Sequence, residues 1–258
     1  MALEIDLDFQ RYVERRRGAL EQQVREGAAY AYGADTRFKK TLDTITPVRV
    51  AIEATVRLWK STAKDELLVG AERVTPHKNA KLDALTELAA KALHVTRPDV
   101  FLSASFEGTH TFGAEGETTV LLGRALVDSL TEDELLFVIG RQCGHIQNDQ
   151  VVLSTAQYYL VHAGNRFVKW VVTPAAAALS AWSRRADITC DRAGLIAGKS
   201  LDASEAALRK LLSPEAADVR VAALRIFAES AYYKGLVGQD GGLTQAEVDG
   251  KVGEVLST

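Results

Sequence analysis

The sequence predicts a mainly helical α+β fold for this chain of 258 residues. Apolar residues recur at spacings of three and four over most of the chain, which is typical of amphipathic helices. Short segments rich in Val, Leu and Phe lie between residues 66 and 122 and predict strands. After residue 130 the pattern is helical throughout, so we expect a small sheet followed by a helical half.

Two helices are predicted before the sheet, over residues 8–32 and 46–60, and Pro47 suits the first turn of the second. We expect residues 1–60 to form an N-terminal helical arm and residues 61–258 to form the main domain. The basic triplet at residues 15–17 shares its helix with Glu14, Glu21 and Glu26, and the formal net charge is −3. No nucleic-acid partner is therefore expected.

The main domain is predicted element by element from its periodicity. Strands are expected at residues 66–74, 99–103 and 118–122, with a helix over 78–93 between the first two. Capping-box spacings, Thr131 with Glu134 and Thr244 with Glu247, mark two helix starts. The helices beyond residue 130 are predicted at 132–149, 151–163, a stretch that reaches residue 182, 184–196, 204–211, 215–233 and a short segment from residue 245.

Composition also indicates the cellular compartment in which we expect the protein. Two cysteines cannot form a disulfide framework, and the first ten residues are acidic with no continuous apolar run, so we expect a cytoplasmic protein without a signal peptide. The longest apolar stretch, residues 151–182, is interrupted by Asn165, Arg166, Lys169 and Pro174. Each piece is shorter than the roughly 20 residues that cross a bilayer, and membrane contact is not expected.

Two of the predicted helices carry polar residues on one face. On the first, at about 100° per residue, one arc contains Arg141, Gln142, His145, Asn148 and Asp149. Cys143 points away from that arc. On the later helix, Asp187 and Asp191 lie one turn apart. Two polar stripes on otherwise apolar helices indicate a shared polar interior.

These segments resemble the gluzincin zinc metallopeptidases of the HtpX and CAAX prenyl protease type, peptidase family M48. The resemblance covers about residues 66–195, and it implies a gluzincin-like domain for the main part of the chain. The residues that carry it are Thr111, Phe112 and Gly113 before the strand at 118–122, then Thr131, Glu134, Leu135, Val138, Gly140, Gly144, His145 and Ile146, and finally Ser183, Arg184, Asp191, Arg192 and Gly194.

The positions that perform catalysis in this family are changed here. Such sites use two imidazoles four residues apart to bind zinc, a carboxylate beside the first to activate water, and a further carboxylate ligand. In this chain Arg141 replaces the first imidazole, Gln142 replaces the activating carboxylate, and His145 is kept. Asp187, one methylene shorter than Glu, stands at the third ligand position. The resemblance therefore implies no catalytic residues and no bound zinc.

The resulting hypothesis is a catalytically inactive metallopeptidase homologue that needs no cofactor and binds a peptide or protein partner, or acts as a regulatory module. In the family, substrate adds as a strand to the sheet edge, which makes His110 a candidate for the peptide cleft. One alternative is a divergent zinc endopeptidase that uses His145 and Asp187 with Asp191 or Asp149. Another is a structural subunit with the N-terminal arm as its interface. No oligomeric state is predicted.

An ion pair is a physical alternative to the metal. We expect Arg141 to pair with Asp187 or Asp191 and to staple the two helices together. A metal or nucleophilic site built on Cys143 or Cys190 is less favoured than core packing, because free cysteine is among the most buried residue types and Cys143 lies on a different face from His145.

Overall fold

A computed structural model of the chain describes residues 27–42, 44–114, 116–162 and 169–257. The predicted mainly helical α+β class is confirmed. The first half contains a 3-10 turn (Gly27–Ala29), α1 (Gly33–Leu42), α2 (Thr46–Leu58), a π-helical turn (Trp59–Ala63), α3 (Lys64–Leu67), β1 (Glu72–Arg73), α4 (Ala80–Ala92), β2 (Asp99–Ser103), β3 (Thr109–Ala114) and β4 (Glu117–Gly123). The helical half contains α5 (Arg124–Ser129), α6 (Glu132–Gln147), α7 (Val151–His162), α8 (Lys169–Gly198), α9 (Leu201–Leu211), α10 (Pro214–Ala228), α11 (Ala231–Leu236) and α12 (Gln245–Val255).

The four strands form one mixed sheet in the order β1-β2-β4-β3. β2 and β4 are parallel, with Leu102 opposite Leu122, whereas β1 and β3 run antiparallel to their neighbours. Side chains alternate across the sheet. Leu102 and Leu122 face the main core formed with α4 and α6, and Leu121 faces a smaller cluster around Trp59 and Phe112.

The strand predictions are correct for the centre of the sheet and wrong at its first edge. β2 has the predicted bounds, and residues 118–122 lie within β4. The strand expected at 66–74 is limited to Glu72–Arg73, because the preceding residues end a helix. Leu67 and Leu68 pack against the Trp59 cluster from that helix, and Gly70 then turns the chain with a φ of 73°. Burial against this cluster outweighs the local strand pattern.

Most of the later helices are confirmed, including both capping boxes. Three predictions need correction. The helix predicted to end at residue 149 ends at Gln147, and the one predicted over 215–233 is divided at Ser230, which caps α11. The two segments predicted on either side of residue 183 form one helix, α8, which contains Pro174. Among the described residues, no helix is long and apolar enough to cross a membrane.

Part of the predicted N-terminal arm is described. The helix predicted over residues 8–32 lies mostly outside the described residues, whereas the second helix is confirmed as α2. Leu42 and Val48 are fully buried against Leu179 and Trp182 of α8. The described part of the arm thus packs on the helical half, and the domain boundary at residue 60 stays a prediction.

Glycines bring α6 and α8 into close contact and so position the candidate site. A Cβ built on Gly140 would lie 2.6 Å from Cβ of Ala197, and one on Gly144 would lie 2.6 Å from Cβ of Ala193. Real Cβ atoms do not approach so closely, so no larger residue fits without moving a helix. This spacing lets side chains of the two helices meet directly.

Replacing Gly140 by Ala is expected to destabilise the protein by about 1–3 kcal/mol, because overpacking at the helix contact outweighs the better helix propensity of Ala. Gly250→Ala is the matched control, since a Cβ on this helical glycine meets nothing within 4 Å. The control should stabilise by about 0.5–1 kcal/mol. Urea denaturation of both variants measures the difference, and stabilisation of both would show that the helix contact is loose.

Candidate functional site

A cluster of four charged side chains lies between three helices. Arg141 comes from α6, Asp187 and Asp191 from α8, and Arg220 from α10. Arg141 donates from Nε to Asp191 Oδ1 at 2.7 Å and from Nη2 to Asp187 Oδ1 at 3.1 Å. The ion pair expected between Arg141 and the later helix is therefore present, and it engages both aspartates.

Arg220 is a member of the cluster that the sequence reasoning missed. It donates to Asp191 from Nε at 2.6 Å and from Nη2 at 2.5 Å, and its Nη1 lies 3.2 Å from Asp187 Oδ2. Arg220 shares one stripe of α10 with the buried residues Ala217, Val221 and Leu224. A charge at a core-facing position of an amphipathic helix is the signal that points to it.

Mutual pairing shifts the ionisation of the cluster. Burial favours the neutral acid of Asp187, but the positive charges of Arg220 and Arg141 outweigh burial and lower the pKa of that carboxyl. Burial opposes the charge of Arg220, yet the two aspartates raise the pKa of its guanidinium. The pairing thus stabilises Asp187 and Arg220 in their charged forms.

Gln142, which the resemblance places at the position of the activating carboxylate, faces the sheet. It is buried, and its Oε1 accepts a hydrogen bond of 2.8 Å from the hydroxyl of Thr111 on β3. An uncharged amide has no basic oxygen that takes up a proton near neutral pH. Gln142 therefore links α6 to β3 and provides no general base.

His145 is held by a chain of hydrogen bonds that begins at Asp35 on α1. Asp35 Oδ2 accepts from Gln150 Nε2 at 2.6 Å, so Gln150 Oε1 is the atom that faces His145 Nδ1 at 3.0 Å. His145 consequently carries its proton on Nδ1 and leaves Nε2 as an acceptor. Burial lowers the pKa of His145 to about 4, against the opposing effect of Asp187.

The contribution of His145 to the free energy of unfolding is expected to fall by roughly 2–3 kcal/mol as the pH drops from 6.5 to 4, because the unfolded chain protonates His145 in this range and most folded molecules do not. Burial raises the pKa of Asp35, so the contribution of Asp35 to stability changes with pH in the opposite direction. Because wild type and the His145→Gln variant both contain Asp35, this contribution cancels when the two are compared. Denaturant unfolding of wild type and His145→Gln at pH 6.5 and 4.5 isolates the histidine. Equal losses in the two proteins would contradict the assignment.

The end of α6 differs from the sequence prediction. Asp149, expected within the polar arc, has a φ of 52° and an exposed side chain that pairs with Lys39 at 3.0 Å. Asn148 donates to the hydroxyl of Tyr30. Because α6 ends at Gln147 and the backbone of Asp149 is left-handed, this side chain leaves the helical arc, and the prediction that placed Asp149 on one arc with Arg141 was wrong.

Both cysteines are free and fully buried. Cys143 packs in the main core, where burial raises the pKa of its thiol to about 12. Cys190 Sγ lies 3.5 Å from Gln150 Oε1, and burial raises its pKa as well. A raised pKa keeps a thiol protonated and unreactive at neutral pH, in agreement with core packing.

His110 lies on β3 and lines a cleft above the charged cluster. Its Nε2 is 3.0 Å from Ser154 Oγ, and its ring is 4.5 Å from that of Phe112. Further along β3, the amide of Gly113 donates to Thr155 Oγ1 at 2.9 Å, and that hydroxyl lies within hydrogen-bond distance of two carbonyls, 3.1 Å from that of Gly113 and 2.8 Å from that of Val151. Helix α7 thus covers the strand edge at Gly113 and also contacts His110 through Ser154.

A cleft of about 550 Å³ lies beside His110. Its lining includes Arg141, Asp187 and Arg220 of the charged cluster as well as Glu107. The cleft beside His110 is therefore continuous with the charged cluster, so a molecule bound there would contact both.

The side chains between α6 and α8 do not suit the zinc ion that peptidases of the resembled family bind. Zinc is bound by imidazoles, thiolates and carboxylates, whereas a guanidinium has no free lone pair and stays positively charged. Every carboxylate oxygen of Asp187 and Asp191 lies within 3.2 Å of a guanidinium nitrogen. Within the part of the chain that the structure describes, no group of three or more His, Cys, Asp or Glu side chains could hold a metal ion.

Comparisons with known proteins agree with this architecture. The sequence model for peptidase family M48 matches residues 76–258, more than half of the chain. "Plastoglobule-localized metallopeptidase 48, chloroplastic" from Arabidopsis thaliana is 27% identical over 146 residues, which cover 54% of this chain and 42% of that protein. The match thus spans less than half of the relative's length. The comparison with solved structures returned no match. The chain belongs to peptidase family M48.

Proposed function

We propose that the protein is a catalytically inactive member of family M48 that binds a peptide or protein partner without cleaving it. The observation that supports this most directly is the environment of Arg141. Its guanidinium contacts Asp187 and Asp191 at the helix position where related motifs have a zinc-binding imidazole. A zinc ion there would have to displace these contacts and lie beside two fixed cations, Arg141 and Arg220.

The hydrogen bond of Gln142 also supports the loss of activity. General base catalysis needs a group that accepts a proton from water near neutral pH. The amide of Gln142 cannot do so, and its oxygen is already used by Thr111. The residues present therefore provide neither the zinc ligands nor the general base that the family reaction requires.

The competing proposal is a divergent zinc peptidase. Its ligands would be His145 and Asp187 with Asp191 or Asp149. Asp149 pairs with Lys39 at the surface, and both other carboxylates pair with arginines, so this proposal requires the charged cluster to rearrange. A structural role for the N-terminal arm and a cytoplasmic location are proposals that rest on sequence alone.

Zinc content and proteolysis test the proposal. Protein purified without added metal should contain less than about one tenth of a zinc ion per chain and should leave an unfolded substrate such as casein intact. The matched control is the triple variant Arg141→His, Gln142→Glu, Asp187→Glu, which restores the family motif and should raise the zinc content towards one per chain. About one zinc per wild-type chain, with chelator-sensitive cleavage, would overturn the proposal.

A further inference from the structure

We propose that the cleft above the charged cluster binds the free carboxylate of a peptide whose C-terminal residue is apolar. The inference rests on the proposed function, because it names the ligand class of the same cleft. It combines three observations on the cluster and the walls of the cleft: unused hydrogen-bond donors, one loosely held carboxylate, and apolar neighbours.

The guanidinium groups have more N–H donors than the two aspartates accept. Each arginine has five such donors. Arg141 uses Nε on Asp191 and Nη2 on Asp187, and its Nη1 donates to no described residue. Arg141 is 7% exposed as a residue and lines the cleft. A ligand that only accepts hydrogen bonds complements this surplus.

The two aspartates are not held equally. Asp191 is almost completely buried, and its contacts with the arginines measure 2.5–2.7 Å. The side chain of Asp187 is 31% exposed, and its contacts measure 3.1 and 3.2 Å. Asp191 therefore anchors the arginines from within, whereas a second carboxylate can share or take the place of Asp187 on the cleft side. Guanidinium pairs bind carboxylates with high geometric specificity.

The other residues that line the cleft indicate which chemical group of the ligand should lie next to the carboxylate. Phe106, Tyr158, Leu211 and Leu212 line the same cleft and offer apolar surface. Glu107 also lines it and disfavours a ligand with further negative charge. A single carboxylate next to an apolar side chain fits both conditions, and the last residue of a peptide supplies that combination.

Affinity selection from defined peptide pools tests the inference. One pool contains N-acetylated hexapeptides that end in Leu with a free carboxylate, and a second pool contains the same sequences as C-terminal amides. A third pool has Asp at the fifth position and a Leu amide at the end. Mass spectrometry of the retained peptides should show about tenfold enrichment of the free acids over both amide pools. Equal retention of free acids and amides, or retention of the Asp pool at the level of the free acids, would overturn the inference.

Glu107→Gln provides a variant that leaves the cluster unchanged. Removal of the opposing charge should increase retention of the free acids about two- to fivefold and leave the amides unaffected. An equal change in all pools, or none, would count against carboxylate binding at this cleft. The proposed function fails separately, since zinc-dependent activity would produce shortened peptides in the eluate. Failure of the inference alone leaves intact peptides without a preference for the free acid.

Discussion

Replacing Arg141 by Ala is expected to destabilise the folded protein by about 3–5 kcal/mol. The substitution leaves Asp191 buried with Arg220 as its remaining guanidinium partner and frees one oxygen of Asp187. It also removes the contact that joins α6 to α8 at the centre of the cluster. Urea denaturation followed by circular dichroism at neutral pH measures the loss.

Arg225→Ala is the matched control for this experiment. Arg225 makes two hydrogen bonds to Glu205, at 2.6 and 2.5 Å, but its side chain is 60% exposed. An exposed pair of this kind contributes at most about 1 kcal/mol, so the control should change stability little. If Arg141→Ala costs no more than Arg225→Ala, the cluster does not staple the helices.

Asp35→Ala should have the second largest effect, a loss of about 3 kcal/mol or more. The carboxylate of Asp35 is buried and accepts hydrogen bonds from Gln150 Nε2, Trp182 Nε1 and Thr189 Oγ1 at 2.6–2.9 Å. Its removal orphans three buried donors, each at a cost of about 1–3 kcal/mol. Thermal and urea unfolding measure the change.

Asp35→Asn serves as the control, because it keeps the shape and one acceptor oxygen and should cost less than Asp35→Ala. A second readout is the tautomer of His145, which nitrogen NMR reports directly. Loss of Asp35 frees Gln150 to rotate, so the Nδ1–H form of His145 should no longer dominate in the Ala variant. Unchanged stability and an unchanged tautomer would show that Asp35 does not organise this interior.

Local sequence patterns predicted the structure correctly where the spacing of the side chains also satisfies the hydrogen-bonding groups of the backbone. The two capping boxes satisfy helix N-termini with residues three apart, and β2 and β4 are short, buried and rich in Val and Leu. At residues 66–74 the same kind of pattern was misleading. A short apolar segment suits either a strand or the buried end of a helix. Here the last turn of the helix packs against the cluster around Trp59, and this contact favours the helix.

The centre of the site was predictable because its members lie on two periodic helices. The spacing of Arg141, Asp187 and Asp191 is enough to place them face to face once the helices cross. Arg220 and Asp35 join from helices that no motif connects to α6 or α8. Their contributions depend on tertiary packing, and only their burial at core-facing positions distinguishes them from surface charges.

The contact between the Thr155 hydroxyl and the edge strand β3 has a consequence for solubility. Unpaired strand edges are templates on which further chains assemble into aggregates. Here both N–H and C=O of Gly113 lie within hydrogen-bond distance of one hydroxyl, and the opposite side of the sheet ends in β1, which is two residues long. Loss of the Thr155 hydroxyl would therefore leave the backbone of Gly113 without this partner, and any local opening of α7 would then expose an edge that can pair with another chain.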